Sequence, residues 1–171
     1  MDNNVILAVG STLVNRSIIA FMFNFRGVGG SGGSFGGGGD EQEDVAAAIS
    51  WLISQPEVGV DKVGLLGYSF GATVASAVAC SDDRVKAVAL VSPPLELSQV
   101  SQLKDCAKPK LIICGAGDFV VSLQKAELIN REAAEPKQFE LVSGADHFWW
   151  GYEVAMAEKI VAFFGTLFRQ V

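Results

Sequence analysis

Val63-Gly64-Leu65-Leu66-Gly67-Tyr68-Ser69-Phe70-Gly71-Ala72 reads as an apolar strand, a serine and the opening of a helix, with a glycine two residues before and two after the serine. Val63–Tyr68 has the residues of a buried strand, and Phe70–Cys80 is a small-residue helix suited to close packing. A chain that passes straight from strand to helix turns tightly, so the flanking positions must be small, and Gly67 and Gly71 are. The serine then stands above the sheet edge. The N–H of Phe70, at a helix N-terminus, points toward any oxyanion formed beside it. Gly-x-Ser-x-Gly alone is a weak signal and also occurs at 29–33 and 32–36, inside a glycine-rich loop. Only at 67–71 does a strand precede it and a helix follow.

Working outward, strands alternate with helices. Asn3–Ser17 reads as a helix and Ile18–Phe25 as a strand buried on both faces. Gly27–Gly39 has nine glycines in thirteen residues and is a loop. Asp40 with Glu43 forms a capping-box pattern for a helix that buries Val45, Ile49, Leu52 and Ile53 and stops at Pro56. Further strands are expected at Val85–Val91, Lys110–Cys114 and Gln138–Val142, and a helix at Leu123–Ala134. The C-terminal helix sets Met156, Ile160, Phe163, Phe164 and Leu167 on one stripe. The expected fold is a single α/β domain over residues 1–171, an open, mostly parallel sheet of about five strands with helices on both faces. Ligands of such sheets sit at the C-terminal ends of the strands.

A serine is a weak nucleophile without a base. The chain has one histidine, His147, between the last strand and the last helix, at the same sheet edge as Ser69. Asp118, after Lys110–Cys114 and the turn Gly115-Ala116-Gly117, is favoured as the carboxylate that orients the imidazole. Asp146 is the rival, although a sequence neighbour rarely folds back onto the adjacent ring. Tyr68, Phe70, Phe119, Phe148, Trp149 and Trp150 all flank these positions. Of these, Tyr68, Phe119, Phe148 and Trp149 are taken as substrate-binding, and those that line the site would form an apolar acyl pocket.

Composition sets the outer limits. In 171 residues, 50% are hydrophobic and 19% charged, which excludes disorder. The net charge of −6 repels phosphate backbones, so no nucleic-acid partner is expected. The longest apolar run, Ile18–Phe23, is far short of a membrane span, and Asp2 stands where a signal peptide would be basic. One histidine and no Cys-x-x-Cys argue against a metal site. Cys80, Cys106 and Cys114 suit free thiols in a reducing compartment, so a cytoplasmic location is expected. Gly27-x-Gly29-x-x-Gly32 follows a strand and fits a dinucleotide fingerprint, but no helix opens until Asp40 and no acidic residue follows for a ribose.

The segments Phe23-Asn24-Phe25-Arg26-Gly27-Val28-Gly29-Gly30-Ser31, Gly67-Tyr68-Ser69-Phe70-Gly71, Gly115-Ala116-Gly117-Asp118 and Gly144-Ala145-Asp146-His147-Phe148 together resemble the α/β-hydrolase superfamily. The resemblance is to its small, lidless serine-esterase branch related to dienelactone hydrolase, and the order Ser69, Asp118, His147 is that of the superfamily. It implies ester hydrolysis through an acyl-enzyme with no cofactor and, because residues 92–109, where relatives carry a cap, are too few for a lid domain, an open site for small, short-acyl substrates. By it, Ser69 is the nucleophile, His147 the base then acid, and Asp118 the residue that stabilises the imidazolium. It also implies that the family's first strands, and the loop that gives a second oxyanion N–H, lie outside this chain. The loop Arg26–Gly33 is then expected to move beside the turn at Ser69 and, through Gly27, to replace that donor beside Phe70. The sheet edge and core so exposed favour a homodimer. Two functions follow: a hydrolase of short carboxylic esters, or a catalytically impaired scaffold acting as an interaction or structural subunit.

Overall fold

The computed structural model describes residues 2–59 and 62–168. Strands β1 (Val63–Tyr68), β2 (Val85–Val91), β3 (Lys110–Gly115) and β4 (Lys137–Val142) form one parallel sheet in the order β1-β2-β3-β4. Helices α3 (Phe70–Ser81), α4 (Leu97–Leu103) and α5 (Leu123–Glu132) link successive strands. Helices α1 (Asn4–Asn15) and α2 (Asp40–Ile53) precede the sheet, and α6 (Glu153–Phe168) follows it.

Side-chain alternation divides the core between the two sheet faces. Val88, Leu90, Ile112 and Cys114 pack with Val45 and Ile49 of α2, Ala75 and Val78 of α3, Leu103 of α4 and Ile129 of α5. Ala87, Ala89, Val91, Leu111 and Ile113 pack with Val5 and Val9 of α1 and with Met156, Ile160, Phe163 and Phe164 of α6. Burial on both faces is why β2 and β3 are continuous apolar runs in the sequence.

Three expectations change, and one helix is added. Ile18–Phe25 is not a strand, and the sheet has four strands among the described residues rather than about five. A strand needs a neighbour to take its N–H and C=O groups, and β1 pairs with β2 alone. Rings hold residues 18–25 in place of ladder hydrogen bonds: Phe21 stacks on Trp51 at 4.6 Å, Phe23 meets Phe25 at 5.4 Å, and Phe25 meets Phe70 at 5.8 Å. Residues 92–109 contain a short helix, α4, whose Gln99 Oε1 accepts the Glu96 N–H at 2.8 Å. Asp40 lies inside the first turn of α2 and does not cap it; its carboxylate pairs with Arg26 at 3.2 Å. Leu167 is exposed, while the rest of the predicted α6 stripe is buried. Cys80, Cys106 and Cys114 are free thiols. No helix among the described residues is long and apolar enough to cross a membrane.

Candidate active site

Ser69 joins β1 to α3 with φ 52° and ψ −121°, a conformation that L-residues rarely adopt. Its N–H donates to the Val91 carbonyl at 2.9 Å, which ties the strained turn to the end of β2. Its own carbonyl accepts the N–H groups of Ala72 and Thr73 and opens the helix. The turn is possible because Gly67 lacks a side chain: a Cβ there would strike the Gly71 carbonyl and come within 2.6 Å of Ala72 Cα. Phe70 is the first residue of α3, where a backbone N–H has no acceptor within the helix.

The loops that follow β3 and β4 are fitted against each other. A Cβ at Gly115 would strike the Ala145 carbonyl, and the Gly117 N–H donates to that same oxygen at 2.9 Å. This contact brings Asp118 and His147 together. Asp118 Oδ1 accepts the N–H groups of Val120 and Val121 at 2.9 and 2.8 Å, fixing the carboxylate. His147 Nδ1 lies 2.9 Å from Asp118 Oδ2, and Nε2 lies 2.9 Å from Ser69 Oγ. Both the carboxylate and the imidazole are buried. An ionised carboxylate only accepts, so Nδ1 is the donor there, and Nε2 is left to accept the Ser69 hydroxyl. Ser69, Asp118 and His147 are thus brought into one hydrogen-bonded line. Asp146 is not part of it: its Oδ1 accepts the N–H groups of Phe148 and Trp149.

The predicted substrate-binding aromatics divide. Phe119 and Phe148 are exposed beside the imidazole. Trp149 is fully buried and donates its indole N–H to Ser92 Oγ at 3.1 Å, so it belongs to the core and does not wall an open site. The half-buried Tyr68 donates its hydroxyl to the backbone carbonyl of His147 at 2.8 Å, which makes it a brace for the segment that carries the imidazole. Burial, and then the charges of Asp118 and Asp146, push the Tyr68 phenol up, which keeps it protonated and a donor.

It is residues beyond Gly33 that lie beside the turn: the Phe35 ring is 5.3 Å from that of Phe70. However, the Gly27 N–H donates to the Gly32 carbonyl at 3.0 Å inside the loop, so it is not the second oxyanion donor. The N–H groups of Gly36 and Gly38 both donate to the carboxylate of Glu41 at 2.7 Å. Those bonds hold Glu41 below the usual carboxylate range despite its burial. With Asp40, Glu41 and Glu43 in the first turn of α2, this loop is also a poor phosphate site. Sequence reasoning missed Glu41 and Ser92. A glutamate in a first helical turn is ordinary, and nothing in the chain marks Ser92 as the acceptor for an indole 57 residues away.

Solved structures share this fold. An α/β serine hydrolase homologue from Coxiella burnetii is 32% identical, with a TM-score of 0.84 over 95% of this chain and 76% of that one. A lidless α/β serine hydrolase from Xanthomonas campestris is 25% identical, with a TM-score of 0.86 over 100% of this chain and 77% of that one. The fold is that of the α/β hydrolases. More narrowly, residues 7–140 match the family described as X-Pro dipeptidyl-peptidase (S15 family), and the chain belongs to it. An uncharacterized protein of Rickettsia prowazekii is 32% identical over 157 residues, which are 87% of this chain and 66% of that protein. The chain therefore spans less than two thirds of the length of this curated relative.

Proposed function

We propose that this chain is a serine hydrolase that cleaves short-chain carboxylic esters through an acyl-enzyme. Ser69 Oγ attacks the carbonyl carbon while His147 Nε2 takes its proton. The Phe70 N–H stabilises the oxyanion, and the proton then passes from Nε2 to the leaving oxygen as the C–O bond breaks. Water, activated by the same imidazole, releases the acid. Asp118 holds the ring in the tautomer this sequence needs. The observation that carries the reading is the line from Ser69 Oγ to His147 to Asp118, with 2.9 Å at each step, ending on a strained serine. A backbone held in so costly a conformation supports a functional role for the serine it carries.

The test is hydrolysis of p-nitrophenyl acetate and butyrate by the 171-residue chain beside Ser69→Ala. Turnover by the wild type alone supports the hydrolase. Equal inertness of two folded proteins favours the scaffold reading, in which the same fold is an interaction or structural subunit. The family description favours a second reaction, on peptide bonds, which the same side chains would perform. Gly-Pro p-nitroanilide assayed beside the esters separates the two. A homodimer remains part of the proposal, because Ile19, Phe21, Val28 and Trp51 are exposed apolar side chains outside the site. Sedimentation equilibrium over a range of concentrations checks it.

A further inference from the structure

We infer that the substrates of this site carry an aromatic leaving group, seated on a platform formed by Phe119 and Phe148; the inference rests on the hydrolase reading above. Phe119 is 68% exposed and Phe148 47%. Both rings lie against the imidazole of His147, with centroids 6.1 and 6.0 Å from it, and they are 5.6 Å from each other. A paired aromatic surface left in water gains by being covered.

The backbone beneath the platform is fixed before any ligand arrives. Asp118 Oδ1 takes the N–H groups of Val120 and Val121, on the far side of Phe119. Asp146 Oδ1 takes those of Phe148 and Trp149. Each ring therefore stands on a turn tied down by a carboxylate. A surface on such turns loses little freedom when it is occupied.

The chemistry decides which half of the ester lies there. In acylation the Ser69 proton goes to His147 Nε2 and then to the leaving oxygen, so that oxygen must come within about 3 Å of Nε2. The group attached to it leads out past the imidazole, where Phe119 and Phe148 are. The carbonyl oxygen turns instead toward the Phe70 N–H. A flat ring set edge-on or offset against two phenyl groups is the partner that such a surface favours.

The experiment compares kcat/KM on benzyl acetate and ethyl acetate, which share an acyl group and have alcohols of similar acidity. It uses the 171-residue chain with Phe119→Leu and Phe148→Leu beside it. A benzyl preference of about tenfold is expected in the wild type, falling to about two- to threefold in each variant. Equal kcat/KM on the two esters, or a preference that neither substitution moves, overturns the inference and leaves the hydrolase standing. No turnover of either ester by the wild type overturns both. A dimer that Phe119→Leu converts to monomer would assign the platform to a second copy of the chain and overturn the inference.

Discussion

The hydroxyl of Tyr68 donates to the backbone carbonyl of His147 at 2.8 Å, across 79 residues of sequence. Tyr68 is the last residue of β1, so one strand end leads into the serine and also braces the segment that carries the imidazole. Tyr68→Phe removes that bond and leaves the ring, whose centroid is 5.6 Å from the imidazole. We expect kcat to fall about five- to tenfold with KM little changed, and stability to fall by about 1 kcal/mol. Steady-state kinetics and urea unfolding check this. A rise in KM with kcat intact would return Tyr68 to substrate contact.

The two aspartates near the imidazole do different work, and substitution separates them. Asp118→Asn presents an amide to Nδ1 and favours the wrong tautomer; turnover is expected to fall by about 10³–10⁴ with the fold intact. Asp146→Asn keeps an oxygen that accepts from Phe148 and Trp149, and a loss within about tenfold is expected. Activities measured on both variants decide between the carboxylates, and the reverse ranking would move the orienting role to Asp146.

What the sequence revealed was mostly local. The turn at Ser69 and the strands Val63–Tyr68 and Val85–Val91 were legible, because glycine placement and apolar runs act over a few residues. Ile18–Phe25 failed for the opposite reason. Its β-branched and aromatic residues suit a pleated surface, but pairing is a property of two segments, and these rings pack on Trp51 and Phe70 instead. Trp149 shows the same limit: its place next to His147 suggested the site, while its side chain turns to Ser92 in the core. Helix α4 was hidden because seven residues give too little periodicity to see.

Gly67 is a position where the turn at Ser69 depends on a missing side chain. A methyl group there meets only backbone, at Gly71 and Ala72, which cannot move without opening the turn. Gly67→Ala is expected to cost about 3 kcal/mol or more. Gly30→Ala is the matched control: its Cβ would meet nothing within 4 Å, and a change within about 0.5 kcal/mol is expected. Urea midpoints of the two variants give the comparison, and equal midpoints would remove the steric account of the turn.

The carboxylate of Glu41 gives the glycine-rich loop a pH dependence. Bonds from Gly36 and Gly38 favour its ionised form more than burial disfavours it, so its folded pKa lies below the ordinary value of ~4.3. A group lowered on folding contributes stability that is present above the unfolded value and is lost as pH falls through the folded one. Glu41→Gln keeps the size and removes the charge. The variant should therefore be less stable than the wild type at pH 7, and the gap should narrow as pH falls below the ordinary carboxylate value of ~4.3. The same loop carries Phe35 against Phe70, so loosening it should also lower ester turnover at pH 7. Urea unfolding of both proteins between pH 7 and pH 3.5 measures the gap. A difference that stays constant across that range would mean that shape, and not the charge on Glu41, holds the loop beside Ser69.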